Sequence, residues 1–240
     1  MTRAALVTGG SGGLGLAIAI VLAEEGHGLT LCARRPDKLA AAADGLRARG
    51  FDVQDVAANV GDENEVRRVA AAHRERFGRL DVLVNNAGVG VGAAIGDVVT
   101  AKVDLQLDVN LRAIVLFYRE CLDMLRVAAD EHRNALVVNM SSISGMSGQP
   151  WLSVYSATKA GVIAFTQAMN KELNPSGIKS TALCPAFVDT DMTTFVRGTV
   201  PQESMIRVED VAGAVRWLVH TSPTCVVPQI PITRPGDTEV

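Results

Sequence analysis

Short apolar runs and amphipathic stretches alternate along nearly the whole chain, and that alternation predicts its elements. Ala4 to Val7 is an apolar run that stops at a cluster of glycines. Helical spacing follows through Leu16, Ile18, Ala19, Val21 and Leu22 and ends near Gly26. Gly28 to Ala33 reads as a second strand, and Pro36 to Arg49 as a helix with Leu39 and Leu46 inward. A strand is predicted over Asp52–Ala57, an amphipathic helix over Glu63–Phe77 and a buried-type strand over Leu80–Val84. Residues 101–131 read as one long helical region. Next come a strand over Ala135–Met140, a helix carrying Tyr155 and running to about Leu173, and a strand over Ile178–Leu183. Val208–His220 is a predicted helix, with Glu209 and Asp210 in the first turn, where the dipole favours them. Val226–Thr233 is a predicted last strand, and Pro228 and Pro231 argue that it lies at an edge.

Between the last two of these helices, residues 191–207 mix Met192, Phe195, Val196, Met205 and Ile206 with polar positions. That stretch reads as a lid-like excursion, extending over about 189–207. No repeat, low-complexity tract or linker interrupts the pattern. Strand–helix alternation over a chain of 240 residues implies one α/β domain, 1–240, built on a parallel sheet covered on both faces.

Composition narrows the partners. Nearly half the residues are apolar and aromatics are few, which suits close packing of helices on a sheet. A formal charge of −3 gives no basic field for nucleic acid or an anionic membrane. No apolar run is long enough to cross a bilayer. The N-terminal residues run straight into a strand and do not read as a signal peptide. Cys32, Cys121, Cys184 and Cys225 are scattered, without a Cys-x-x-Cys pair. That argues against a metal site and a disulfide framework, and for a reducing, cytoplasmic setting. His27, His73, His132 and His220 fall in turns or on polar helix faces and are assigned no chemistry.

The candidate chemistry lies in loops at the ends of the strands. Thr8-Gly9-Gly10-Ser11-Gly12-Gly13-Leu14-Gly15 follows a strand and opens a helix. Glycines let the backbone turn tightly and approach a pyrophosphate, and the helix start offers unpaired N–H groups. At the end of the second strand stand Arg34 and Arg35, with no acidic residue. Arginine there favours the 2′-phosphate of NADP over the ribose hydroxyl of NAD, although two solvated arginines before Pro36 would look the same. Asn85-Asn86-Ala87-Gly88 either bridges backbone and cofactor or makes an ordinary turn. Asn110, among Val109, Leu111 and Ile114, needs partners for its amide, whether it serves a site or fixes a helix bend. Tyr155 and Lys159 are four apart, which puts them on one helix face. A neighbouring ammonium is expected to lower the phenol's pKa and suit it to acid/base work at an alcohol or carbonyl. Ser142, 13 residues upstream, is placed to bind the same oxygen.

In this order and spacing, these motifs resemble the short-chain dehydrogenase/reductase family over about residues 4–220. The resemblance implies a Rossmann-type, doubly wound sheet of about seven strands in the order 3-2-1-4-5-6-7. It implies a catalytic tetrad of Asn110, Ser142, Tyr155 and Lys159. It implies a cofactor site drawn from Gly9, Ser11, Gly12, Gly13, Leu14, Gly15, Arg34, Arg35, Asn59, Val60, Asn86, Ala87, Gly88, Tyr155, Lys159, Pro185, Val188 and Thr190. Tyr155 would exchange a proton with the substrate, Ser142 would hold its oxygen, and Asn110 would hold a water through its backbone. Three positions depart from the family pattern: Ala186 where glycine is usual, Asn59 where an acid is usual, and a C-terminus without the usual glycine pair. The implied activity is an NADP(H)-dependent oxidoreductase acting on a ketone or 3-oxoacyl group, with an NAD-dependent alcohol dehydrogenase and a non-catalytic dinucleotide sensor as alternatives. Ser142, Met146, Trp151, Tyr155, Met192 and Phe195 are the expected substrate contacts. Met146, Trp151, Met192 and Phe195 would make that pocket apolar, and no basic cluster there suggests a carboxylate or phosphate handle on the small-molecule carbonyl or alcohol substrate. A homodimer or homotetramer is implied by analogy, and no metal is expected.

Overall fold

The computed structural model describes residues 3–237 and, of Phe195, only the backbone. Its elements follow the sequence pattern closely. They are β1 (Ala4–Thr8), α1 (Gly13–Glu24), β2 (Gly28–Ala33), α2 (Pro36–Ala48), β3 (Val53–Ala57), α3 (Glu63–Phe77) and β4 (Val82–Asn85). Then come α4 (Thr100–Leu107), α5 (Ala113–His132), β5 (Ala135–Met140), α6 (Ser153–Leu173), β6 (Ile178–Pro185), α7 (Val208–Val219) and β7 (Gln229–Ile232). The strands form one seven-stranded sheet, ordered β3-β2-β1-β4-β5-β6-β7, and every pairing is parallel.

The strands read as apolar runs because both faces are covered. Successive side chains on a strand point to opposite faces. Ala5, Val7, Val82, Val84 and Val138 therefore pack with Ile18, Leu22, Leu39, Val211 and Val215 from α1, α2 and α7. Leu6, Leu83 and Val137 pack the other way, against Val66, Phe117, Leu125 and Val162 from α3, α5 and α6. Helix ends are set by local chemistry. Asp62 caps α3 by accepting from the Asn64 N–H at 2.8 Å, and Gly78 stops it at φ 68°.

Four differences from the sequence pattern stand out. The long helix is interrupted by a π turn over Asp108–Arg112, centred on Asn110. The last strand is shorter than expected, and it lies at the sheet edge as its prolines require. The excursion after β6 is two 3₁₀ turns, Asp191–Val196 and Gln202–Ser204, but its far end is anchored. Met205 and Ile206 are buried, and Ile206 N–H donates to the Phe187 carbonyl at 2.9 Å. His27 and His73 are buried rather than on polar faces. His73 Nε2 donates to the Arg79 carbonyl at 2.9 Å, leaving Nδ1 to accept from the Thr30 hydroxyl at 2.7 Å. Tertiary partners, invisible in helical spacing, turned that face inward.

Candidate active site

The sheet order reverses between β1 and β4, and in such sheets the crevice at the strands' carboxyl ends is where ligands sit. Here one cleft of about 1490 Å³ opens at that point. That exceeds the roughly 300–1,000 Å³ of a single small-molecule pocket and leaves room for two molecules. Its walls are mainly the segments that follow β1, β4, β5 and β6, with Arg35 and Lys38 after β2 and Gly236 and Asp237 after β7.

The floor is the glycine loop. Gly9 and Gly13 have φ 70° and 51°, and a Cβ on Gly15 would fall 2.3 Å from the Gly9 carbonyl oxygen. Only glycine permits that approach. No side chain caps the start of α1, so its first N–H groups face the cleft with the positive end of the dipole behind them. This cradle fits a dinucleotide pyrophosphate, with Gly9, Ser11, Gly12, Gly13, Leu14 and Gly15 all on the wall. Thr8 and Asn86 hold the loop in place. Thr8 Oγ1 accepts from the Asn86 and Ala87 N–H groups, both at 3.0 Å, and Asn86 Nδ2 donates to the Thr8 carbonyl at 3.0 Å.

The other wall carries the candidate acid/base groups. Tyr155 and Lys159 share a face of α6, with Nζ 5.7 Å from the phenol ring centroid. Ser142, at the end of β5, faces the phenol and is the group that pulls its pKa down. The expected lowering by Lys159 is not what the structure shows. Burial dominates and pushes the Tyr155 phenol above its ordinary range. The ammonium turns away to donate to the Met140 carbonyl at 2.7 Å, and burial lowers its own pKa to about 8. Low-dielectric surroundings penalise both charged forms, so neither residue is a free gift to the other.

Asn110 lies behind this wall, fully buried. Its Oδ1 accepts from Val89 N–H and its Nδ2 donates to the Val89 carbonyl, each at 2.8 Å. The same amide reaches Thr158 Oγ1 at 3.1 Å. It thereby ties the loop after β4 to α6, one residue from Lys159, across the π turn. π turns inside helices recur at functional sites.

The remaining expected residues divide. Arg35, Asn86, Ala87, Gly88, Pro185, Val188 and Thr190 line the cleft, as do Trp151 and Met192. Arg34, Asn59, Val60 and Met146 do not. Arg34 and Asn59 are exposed at the exits of β2 and β3, Val60 is buried, and Met146 faces outward. Asn59 spends its side-chain oxygen on the Gly61 N–H at 3.2 Å, closing its own turn. The Phe195 side chain lies outside the described residues. The cleft also includes Lys38, Gln149, Arg197 and Gln202, which the sequence did not suggest. Lys38 sits in the first turns of α2 and reaches Asp191 at 3.1 Å across the groove above Gly12. Its position three residues after Arg35 was the available signal.

The short chain dehydrogenase family profile matches residues 3–200. The chain belongs to the short-chain dehydrogenase family. It is an oxidoreductase of that family, resembling the 3-oxoacyl-acyl-carrier-protein reductase FabG of Staphylococcus aureus, with 33% identity over 91% of each protein. Among solved structures it resembles a tryptophan variant of the actinorhodin polyketide ketoreductase with NADPH, at TM-score 0.88 and 30% identity over 97% of this chain and 95% of that one. It also resembles an alcohol dehydrogenase from Thermococcus sibiricus complexed with 5-hydroxy-NADP, at TM-score 0.87 and 27% identity, covering 98% and 97% of the two chains.

Proposed function

We propose that this short-chain dehydrogenase reduces a ketone, free or as a 3-oxoacyl group, with NADPH as the preferred cofactor. The observation that carries the reading is the convergence of Ser142, Tyr155 and Lys159 on one cleft whose floor is a glycine cradle for pyrophosphate. Gly9 to Gly15, Asn86 to Gly88, Pro185, Val188 and Thr190 would hold the dinucleotide. Arg35, whose guanidinium has no ion pair among the described residues, would take the 2′-phosphate with Arg34 beside it. When bound, the nicotinamide supplies the hydride.

The chain's own residues do the rest. Ser142 donates a hydrogen bond to the substrate carbonyl oxygen and orients it. Tyr155 gives that oxygen its proton. A raised phenol pKa keeps Tyr155 protonated at neutral pH, the form a reductase needs at the start of turnover. Lys159, held by the Met140 carbonyl, stands beside the phenol to resupply its proton, and a water held by the Asn110 backbone at the π turn would link Lys159 to solvent. Asn110 and Thr158 fix the register of α6. The excursion over about 189–207, anchored at its far end by Met205 and Ile206, would close on the substrate through the 3₁₀ turns that precede that anchor.

Among the described residues no helix is long and apolar enough to cross a membrane. All four cysteines are free, which supports a reducing, cytoplasmic setting. Leu107 and Val115, exposed on α4 and α5, support a homodimer or homotetramer built on those helices. The test is NADPH oxidation across a panel of ketones by the parent and by Tyr155→Phe. The parent should turn over at least one ketone, and the variant should lose about 10²–10⁴-fold in kcat while still binding NADPH. Equal rates for the two proteins would end the proposal, and a clear preference for NADH would move it to the NAD-dependent alternative.

A further inference from the structure

Gln149, Pro150, Trp151 and Leu152 make a tight turn just ahead of α6. The Leu152 N–H donates to the Gln149 carbonyl at 3.2 Å, and Trp151 has φ 67°. Proline at the second position and a positive φ at the third define a type II turn, whose third position favours glycine or asparagine. A tryptophan there is strained, and strain of this kind persists only where the surroundings enforce it. Here they do. The Ala93 N–H donates to the Trp151 carbonyl at 2.8 Å, locking the turn to the loop after β4. A Cβ on Gly92 would fall 2.3 Å from the indole Cε3 and Cζ3, so that loop is trimmed to a glycine where the ring lies against it. Trp151 is nonetheless 53% exposed, and it lines the same cleft as Tyr155, whose apolar lining also includes Val91, Leu152 and Met192.

We infer that Trp151 is a specificity-determining residue: its indole is a flat apolar wall for the part of the substrate beyond the reacting carbonyl, and it selects ketones bearing an aromatic or fused ring. The inference rests on the carbonyl-reductase reading of this cleft. Aromatic faces prefer offset or edge contact with other rings, so a fixed indole rewards planarity more than chain length. The cleft's cations are otherwise engaged. Arg197 is paired with Asp189 at 3.1 Å and Lys38 with Asp191 at 3.1 Å, Lys159 is held by the Met140 carbonyl, and Arg35 would take the cofactor's 2′-phosphate.

The test uses two ketones, a tetralone and butanone, and two readouts. The chain has two tryptophans. Trp217 lies on α7, away from the cleft, so Trp217→Phe isolates Trp151 emission. In the NADP-loaded Trp217→Phe protein, tetralone should quench that emission saturably and butanone should not. In kinetics, Trp151→Gly, which the turn accepts, should lower the tetralone-to-butanone ratio of kcat/KM roughly tenfold, mainly through KM, as loss of a ring stack would. Trp151→Phe should keep most of the ratio. An unchanged ratio, or equal losses on both ketones, overturns the inference and leaves Trp151 a structural part of the turn. If the parent reduces neither of these two ketones, the reductase reading is judged on the wider panel, and the emission titration decides the inference: saturable quenching supports the aromatic wall and its absence overturns it.

Discussion

Lys159 gives its hydrogen bond to the Met140 carbonyl, at 2.7 Å, and not to its helix neighbour Tyr155. The lysine is thus held from the sheet side, and burial rather than charge sets the proton affinities of both groups.

The Lys159 pKa gives a stability prediction with a definite sign. Folding lowers it from 10.5 to about 8. Between those values the unfolded chain binds more protons than the folded one, so stability rises with pH through that window. The gap in denaturant midpoint between the parent and Lys159→Met should move in the parent's favour as pH rises from about 8 to 10.5. A gap independent of pH would show that the ammonium is not desolvated as described.

His73 gives the complementary acid-side effect. Its pKa is lowered by burial from 6.5 to about 4. The unfolded chain therefore takes up a proton that the folded one refuses, and stability falls as pH drops through that range. The loss should approach the order of 3 kcal/mol near pH 4. His73→Gln should flatten that part of the stability–pH curve, and a parallel curve would count against a neutral buried imidazole.

Two glycines should respond oppositely to alanine. At Gly15 the added carbon meets the Gly9 carbonyl at 2.3 Å and Asn86 Nδ2 at 2.5 Å. Gly15→Ala should cost about 1–3 kcal/mol and weaken NADPH binding at least tenfold. Gly45, inside α2, has nothing within 4 Å of a new Cβ. Gly45→Ala should raise stability by about 0.4–1 kcal/mol and leave NADPH binding alone. Calorimetry with and without NADPH reads both.

Removing both Arg34 and Arg35 should weaken NADPH about 10–100-fold and NADH far less, since a charged hydrogen bond is worth about 1.5–3 kcal/mol. Single replacements report the division between them, with Arg35, on the cleft wall, expected to carry more. Equal losses for both cofactors would place the arginines elsewhere than at the 2′-phosphate.

Much of this was legible in the chain. Fully buried parallel strands announce themselves as runs such as Ala4 to Val7, and the glycine cradle is written in adjacent residues. The pairing of Tyr155 with Lys159 was readable because they lie one turn apart on one helix, and they do share a face of α6. What escaped depends on partners distant in sequence. The π turn at Asn110 exists because the amide reaches Val89 and Thr158, and no local spacing encodes that. His73 looked solvated until Thr30 and Arg79 met it. The strain at Trp151 could have been suspected from Pro150, which sets up a turn that wants glycine next. Lys38 was read only as part of a helix whose leucines faced inward.

The two outer strands have a consequence for how this protein behaves when crowded. A bare strand edge is a template for recruiting another chain into a growing sheet. On β7, Pro231 has no N–H to offer, so one rung of that ladder is missing. On β3, the Arg47 guanidinium donates to the Val53 carbonyl at 2.9 Å, occupying an acceptor that an incoming strand would need. Both flanks of the sheet are thus blunted against fibre-like stacking by side chains remote from the cleft. Pro231→Val and Arg47→Ala are therefore changes that leave the chemistry in place while making the protein more prone to aggregate.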